Sequence, residues 1–413
     1  MSDCCSAPGL MPFNTALKQL LDNVPSATKT QMLAIEDCLD RVLAADVVSP
    51  VNVPPHNNSA MDGYAFHSSS LSLGGEQTMQ VVGRSFAGEP YSGKTNVGEC
   101  IRIMTGAKLP ECCDTVVMQE NTSVDNNTMA LVKAPKAQAN VRYCGEDISK
   151  NEAVFSKGHK LSAIDLGMLA SLGIADVEVF APITVAVLST GDELKSPGQT
   201  LSDGDIFESN RFALLGLLAR LNVNVLDLGI IADDKQAIRD AFIKADLEAD
   251  VVISSGGVSV GEADYTKDIL DELGSINFWK IAMKPGKPFA FGKLPNSVFF
   301  GLPGNPVSAL VTFYKLSVPG IEKMQGQPYK ANTQFSAITT TPLRKSPGRM
   351  DFQRALLSYN EQGLAQVTST GSQGSGVLSS IGRANCFIVL SAEQGSVEAG
   401  ESVIVEPFTS VFQ

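Results

Sequence analysis

The spacing of apolar residues changes several times along the chain, and each change predicts a different kind of element. Near the start, Leu17, Leu20 and Leu21 follow Asn14, a residue suited to capping a helix. A second run from Thr30 to Leu43 sets Leu33, Ile35, Leu39 and Val42 near helical spacing, so residues 1–50 read as helical. From Val51 to about Val141 the pattern shortens to β-type runs between Gly, Pro and Asn turns, clearest at 100–104 (CIRIM), 115–118 (TVVM) and 129–132 (MALV). Ser162 then opens a short helix through Leu172, with Gly173 as its C-terminal glycine.

From Ile183 onward strand, loop and helix alternate. The runs at 183–188 (ITVAVL) and 250–254 (DVVIS) are continuously apolar, as strands buried on both faces require. Further strands are expected at 223–231, 278–283, 289–291 and 298–300, and helices at 209–221, 234–245, 265–273 and from Asn305–Pro306, where Asn caps and Pro takes the first helical position. This rhythm predicts a doubly wound α/β domain. After Gln325 only short strands remain, at 386–390 and 403–405 among others. The expected fold is α/β plus β and multidomain. A helical, extended linking domain (1–50 and 141–180) carries a β-rich inserted domain (51–140), then the α/β domain (181–327) and a small C-terminal β-barrel-like domain (328–413).

Composition narrows the function. The chain has 413 residues with 32 Lys plus Arg against 44 Asp plus Glu, a net charge of −12. A pI near 4.8 lacks the basic footprint of a general nucleic-acid binder, although a local lysine cluster can still focus field on a small anion. Hydrophobic residues make up 44% and charged residues 18%, which supplies packed cores and excludes wholesale disorder. The three histidines, His56, His67 and His159, never pair at i, i+4, which excludes a helical H-E-x-x-H protease site. The eight cysteines include the adjacent pairs Cys4–Cys5 and Cys112–Cys113 but no C-x-x-C, so neither a zinc ribbon nor a disulfide framework is expected. Reduced thiols and a cytoplasmic location follow as expectations. The start of the chain shows no signal-peptide pattern, its Cys4–Cys5 segment reads as a disordered tail, and no run of about 18 apolar residues predicts a membrane span.

In open α/β sheets ligands bind beyond the carboxyl ends of the strands. Those ends carry Thr190 to Leu194 with Glu193, the pair Asp233–Asp234, the loop from Ser255 to Asp264 with Gly256, Gly257 and Ser259, Lys284 to Pro288, and Gly301 to Pro306 with Pro303 and Asn305. Backbone N–H groups of the 255–261 loop can approach an anion. The loop matches neither G-x-x-x-x-G-K-[ST] nor G-x-G-x-x-G, so a P-loop NTPase and a standard NAD enzyme are both disfavoured. A plain strand-to-helix turn capped by Asp264 accounts for it equally well. Glu193, Asp233, Asp234 and Asp264 are hard oxygen donors of the kind Mg²⁺ takes together with ligand phosphates, while one of Asp233 and Asp234 is expected simply to cap a helix. Lys280, Lys284 and Lys287 put three lysines within eight residues, enough to attract a dianion, and unbroken alternation would place Lys280 and Lys284 on one face.

The segments 58–65 (NSAMDGYA), 102–107 (RIMTGA), 145–148 (GEDI), 190–194 (TGDEL), 254–261 (SSGGVSVG), 264–266 (DYT), 284–288 (KPGKP), 302–306 (LPGNP) and 349–354 (RMDFQR) occur in order over residues 13 to 408. Together they resemble the molybdopterin molybdenumtransferase (molybdenum insertase) family, which includes the C-terminal domain of gephyrin. The resemblance implies that adenylylated molybdopterin and molybdate give molybdenum cofactor, AMP and water, with Mg²⁺ assisting on Asp233 and Asp264 and Glu193 beside them. It implies a homodimer in which Asp62 and Thr105 reach the partner's cleft. Lys280, Lys284, Ser259, Arg354 and Ser375 fall near the molybdate function. Asp62 and Asp147 are carried over as functional carboxylates with the general base unassigned. Gly256, Gly257, Pro303, Asn305 and Pro306 belong to the substrate-binding loops. Ala232 departs from the family, where a charged residue is common. Direct delivery of substrate by a molybdopterin adenylyltransferase is left open.

Two other readings fit parts of the chain. A molybdopterin adenylyltransferase shares a similar α/β domain but would leave the β-rich segments and the Asp62 motif unexplained; ATP consumption separates the two. A non-catalytic scaffold like gephyrin is disfavoured because no second enzyme domain or long linker is appended. Alanine at Asp62 and Lys284 would spare a scaffold and abolish an insertase.

Overall fold

The structure, a computed structural model, describes residues 9–71, 77–257 and 265–412. The chain builds two compact units, one from residues 32–179 and one from the chain before 32 together with everything from 180 onward.

The 32–179 unit contains a six-stranded sheet in the order Thr115–Met118, Gly63–Phe66, Glu99–Ile103, Thr78–Ser85, Thr128–Leu131, Thr122–Asp125. Alternation puts Ala65, Ile101, Ile103 and Val116 into one core and Tyr64, Phe66, Cys100 and Val117 into another, so the sheet is buried on both faces. Beside it, Cys38, Leu43, Val47, Phe155, Leu161 and Leu169 pack around the helix Ala163–Ser171. Ser162 and Asp165 close a reciprocal capping box there, and Gly173 ends the segment at φ +73°, as its sequence predicts.

The expected helix over 30–43 does not form. Thr30–Ala34 is a strand and Ile35–Asp37 a single 3₁₀ turn. The backbone of this stretch is satisfied by distant partners instead: Ile35, Asp40 and Leu43 donate to the carbonyls of Ala175, Leu161 and His159, each at 2.9 Å. Tertiary pairing outweighs a helical spacing whose Leu39 is left exposed.

In the other unit a six-stranded sheet runs in the order Asn224–Ile231, Thr184–Thr190, Val251–Ser255, Val298–Leu302, Pro288–Lys293, Ser275–Lys280. The first four strands are parallel, Pro288–Lys293 runs antiparallel to its neighbours on both sides, and Ser275–Lys280 therefore runs with the first four. Val185, Val187, Ile253 and Phe300 face a core shared with the helices Phe13–Asn23 and Asn210–Ala219 and with the segment 306–324. Ala186, Leu188, Val252 and Phe299 face Lys235–Glu248 and Tyr265–Leu273. Helices on both faces explain the continuously apolar strands. The first helix begins at Phe13 without the expected Asn14 cap, because Met11 is already held by backbone bonds to Lys280 and Ala282.

A closed barrel follows. Met350–Tyr359 pairs with both Ala365–Ser369 and Cys386–Leu390, while Phe335–Thr339 and Ser402–Pro407 complete the ring. The short helix Leu378–Gly382 interrupts a stretch expected to be all β. The strand expected over 278–283 is split. One piece ends at Lys280 in the α/β sheet, whereas Met283–Lys284 pairs in parallel with Met350–Asp351 of the barrel. Lys280 and Lys284 therefore belong to different sheets, and simple alternation along one strand does not relate them.

Candidate active site

Parallel strands end together, and the loops at their carboxyl edge enclose a cavity of about 750 Å³. Glu193, Asp233, Gly256, Gly257, Pro303, Asn305 and Pro306 all line it. Seven of the residues singled out in the sequence are thus brought to one place. Asn305 occupies the N-cap position before Pro306, as expected, but its side chain makes no capping hydrogen bond. Gly257 sits at φ +67°, where a Cβ would meet Thr266 Oγ1 at 2.5 Å, so glycine is required for both conformation and space. Ser259 and Asp264 lie outside the described residues.

The acidic side of the cavity has a definite electrostatic character. Asp192 Oδ1 accepts the backbone N–H of Asp233 at 3.0 Å. Partial desolvation, followed by the charges of Asp192 and Glu193, pushes the Asp233 carboxyl above its ordinary range. Crowded carboxylates of this kind fit a hard dication. Asp234 is the helix cap, its Oδ1 accepting from Ala237 N–H at 2.8 Å.

Three residues at or just behind the cavity wall lie where the sequence shows only a helix start. Asn210 donates through Nδ2 to Ser255 Oγ at 2.9 Å and to the Gly304 carbonyl at 2.8 Å, bracing two strand-end loops. Glu208 is buried and accepts from Ser189 Oγ and from Arg211 N–H. Arg211 in turn reaches Asp227 at 2.5 Å. The signal that could find them is the acidic-polar triplet Glu208-Ser209-Asn210 directly before an apolar helix.

On the barrel side, Lys284 Nζ lies 3.4 Å from Asp351 Oδ2. Arg354 is fully buried, donating to Ser380 Oγ at 3.1 Å and to the Gly374 carbonyl at 3.2 Å. Desolvation pushes its guanidinium down to about 10. It sits beneath the 371–377 loop, and the carbonyl of Ser375 in that loop accepts Val307 N–H at 2.9 Å, next to the cavity residue Pro306. Lys280 and Lys287 are exposed.

The remaining sequence-derived residues belong to the 32–179 unit. Asp62 Oδ1 accepts both the N–H and the hydroxyl of Thr105, each at 2.7 Å. These bonds hold its carboxyl below the ordinary carboxylate range, the backbone N–H contributing most. Asp147 is exposed in a loop tied by its own N–H to the Val53 carbonyl. Among the described residues no group of three metal-ligating side chains is assembled, and no helix is long and apolar enough to cross a membrane.

An α/β ligand-binding domain with its cavity at the carboxyl edge, followed by a closed barrel, defines the class. Residues 186–323 match the "Probable molybdopterin binding domain" model, residues 11–173 the "MoeA N-terminal region (domain I and II)" and residues 336–408 the "MoeA C-terminal region (domain IV)". The molybdopterin molybdenumtransferase of Haemophilus influenzae is 48% identical over 97% of this chain and 99% of its own length. The gephyrin of Dictyostelium discoideum is 30% identical over 96% of this chain and 62% of its own. A crystal structure of the molybdopterin biosynthesis moeA protein from Pyrococcus horikoshii superimposes with a TM-score of 0.84 at 27% identity, over 97% of this chain and all of that one. The chain belongs to the MoeA family of molybdopterin molybdenumtransferases, transferases of molybdenum cofactor biosynthesis.

Proposed function

We propose that the cavity takes adenylylated molybdopterin and that molybdate meets it there, yielding molybdenum cofactor, AMP and water. The observation that carries this reading is the convergence of Glu193, Asp233, Gly256, Gly257, Pro303, Asn305 and Pro306 on one cavity. The glycine and proline loops let backbone groups approach the pyrophosphate, while Asn210 keeps the loops at 255 and 304 at a fixed separation. Asp233 and Asp264 would hold Mg²⁺, which, when bound, neutralises charge on the pyrophosphate as the phosphoanhydride opens. The raised Asp233 carboxyl beside Asp192 and Glu193 supports that assignment.

Lys284 offers a compact charge to the tetrahedral molybdate dianion, with Lys280, Ser259 and Ser375 as further donors. Arg354, buried under the 371–377 loop, acts by holding that loop. Asp62 stays ionised because Thr105 gives it two donors, and in a homodimer this pair serves the partner's cavity. Asp147 is a second functional carboxylate of that unit. The unpaired buried thiols of Cys38, Cys100, Cys113 and Cys386 support a reducing, cytoplasmic setting. Direct transfer of substrate from a molybdopterin adenylyltransferase fits a cavity open to solvent.

The test is to supply purified protein with adenylylated molybdopterin, Mg²⁺ and molybdate, and to quantify AMP and metal-loaded pterin. Molybdate-dependent AMP release is expected. Equal AMP release without molybdate, or none with it, overturns the reading.

A further inference from the structure

Lys284 carries a large share of the proposed chemistry, yet lysine has a long flexible stem and nothing intrinsic fixes where its ammonium points. The RMDFQR segment supplies what is missing. We propose that Asp351 is the positioning residue for Lys284; the inference rests on the proposed meeting of Lys284 with molybdate.

The backbone sets the pair up. Met283–Lys284 runs parallel to the start of the strand Met350–Tyr359, with Lys284 opposite Asp351 in the register. Asp351 is almost fully buried, whereas the Lys284 side chain is 41% exposed. Asp351 Oδ2 accepts from Lys284 Nζ at 3.4 Å and from Gln353 Nε2 at 3.2 Å, and Gln353 is itself tied to the Arg344 carbonyl at 3.1 Å. The carboxylate is therefore rigid and the ammonium hangs from it. Asp351 Oδ1 is buried without a hydrogen-bond partner. An apolar residue would pack there without leaving an acceptor unsatisfied, so packing alone does not account for an aspartate.

The carboxylate's charge also favours the cationic forms of Lys345 and Arg354, but Lys284 is the cation whose ammonium it accepts from. Lys345 Nζ is committed to the carbonyls of Ser346, Ala392 and Gln394, at 3.5, 3.4 and 2.7 Å. Beyond the pair, Lys284, Ser346, Arg349 and Asp351 border a cleft of about 60 Å³. One face of the ammonium is thus anchored, leaving its other donors toward solvent. Pro288, four residues further along the chain, lines the large cavity.

The experiment compares wild type with D351N, D351E and D351S. Removing the charge is tolerable for folding, since Lys284 is open to water and Oδ1 has no donor to lose; circular dichroism checks it, and D351S is read in place of D351N if the amide variant fails to fold. Two readouts are taken: the rate at which an amine reagent labels Lys284, followed by peptide mass mapping, and the KM for molybdate against kcat and against the KM for adenylylated molybdopterin. D351N is expected to label several-fold faster and to raise the molybdate KM by roughly 10- to 100-fold, the scale expected when a reacting group is displaced by about an ångström. The KM for the pterin substrate should not move, and D351E should restore both readouts in part. Unchanged labelling of Lys284 overturns the proposal whatever the kinetics do. Faster labelling with an unchanged molybdate KM leaves the anchor standing and overturns the assignment of Lys284 to molybdate.

Discussion

Asn210 offers a direct test of how the cavity is held open. Its side chain is buried, and its amide nitrogen bridges Ser255 Oγ at the end of one strand to the Gly304 carbonyl after another. N210A removes both bonds at once. Ser255 Oγ accepts from the amide and, as a rotor, can turn to another donor, whereas the Gly304 carbonyl cannot turn. Gly304 is exposed, so water takes over its carbonyl, and the loss of two net hydrogen bonds at about 0.5–1 kcal/mol each gives a local cost of roughly 1–2 kcal/mol. At 1.4 kcal/mol per decade this is about a 5- to 30-fold increase in local opening. The proper assay is amide hydrogen exchange, because a multidomain chain has no single unfolding free energy and the effect is confined to two loops. Peptides covering 251–257 and 298–306 should lose protection by that factor, while the barrel strands exchange as before. N210D keeps the size and an acceptor for the Ser255 hydroxyl but opposes the Gly304 carbonyl, so it should recover little. Exchange of both peptides within threefold of wild type, or a loss spread evenly over the barrel, would refute the bracing role.

Three further outcomes are expected. T105V removes the hydroxyl and keeps the stronger N–H donor, so the Asp62 carboxyl should move part of the way back up. Its ionised form is complete above the ordinary carboxylate range and lost as pH falls through the depressed value, so the acid limb of kcat/KM should shift to higher pH. Lys315 Nζ lies 2.6 Å from both oxygens of Glu406, with side chains 8% and 1% exposed. K315M should therefore destabilise the barrel-to-helix junction by about 3–5 kcal/mol in urea unfolding, and E406Q added to it should regain much of the loss. The Asp233 carboxyl is raised in the folded state, so the stability its protonated form contributes is complete at acid pH and lost as pH rises through the folded value. Thermal stabilisation by Mg²⁺ should grow over the same rise and be absent in D233N, as followed by melting scans at stepped pH.

Much of the cavity was legible in the sequence because parallel strands declare themselves as unbroken apolar runs, and the turns after them must carry the ligand. Glu193, Gly256, Asn305 and Pro306 could be found by reading only the few residues after each run. Residues 30–43 were not legible, since Leu33, Ile35 and Leu39 mimic a helical stripe while the backbone actually pairs with segments more than a hundred residues away. Asn210 looked like a helix start because its partners at 255 and 304 are remote. Asp351 was hidden for the same reason: its charge has meaning only beside Lys284, 67 residues earlier. Local chemistry is readable from a sequence; pairings across such distances need the fold.

The charges of the site are segregated, and the segregation explains why the barrel has to stay docked. Carboxylates of the cavity stand on the strand ends of the α/β sheet, suited to a dication. Lys284 and Arg354 depend instead on the barrel, through Asp351 and through the 371–377 loop. Among the described residues, slender polar connections near the cavity include the two-residue strand Met283–Lys284 against Met350–Asp351 and Val307 N–H on the Ser375 carbonyl. Neither is strong enough alone to fix an orientation. A larger restraint is the apolar core that Phe352, Phe387 and Phe408 share with Phe13, Phe313 and Tyr314, and beside it lies the buried Lys315–Glu406 pair, whose carboxylate also accepts from Asn332 and Gln334. A buried ion pair adds little stability over an apolar pair of the same volume, but it tolerates only a narrow geometry. If that geometry aligns the cationic side with the acidic side, a K315M/E406L pair that restores stability should still raise the molybdate KM. A variant equally stable and equally fast would show that apolar packing alone keeps the barrel in register.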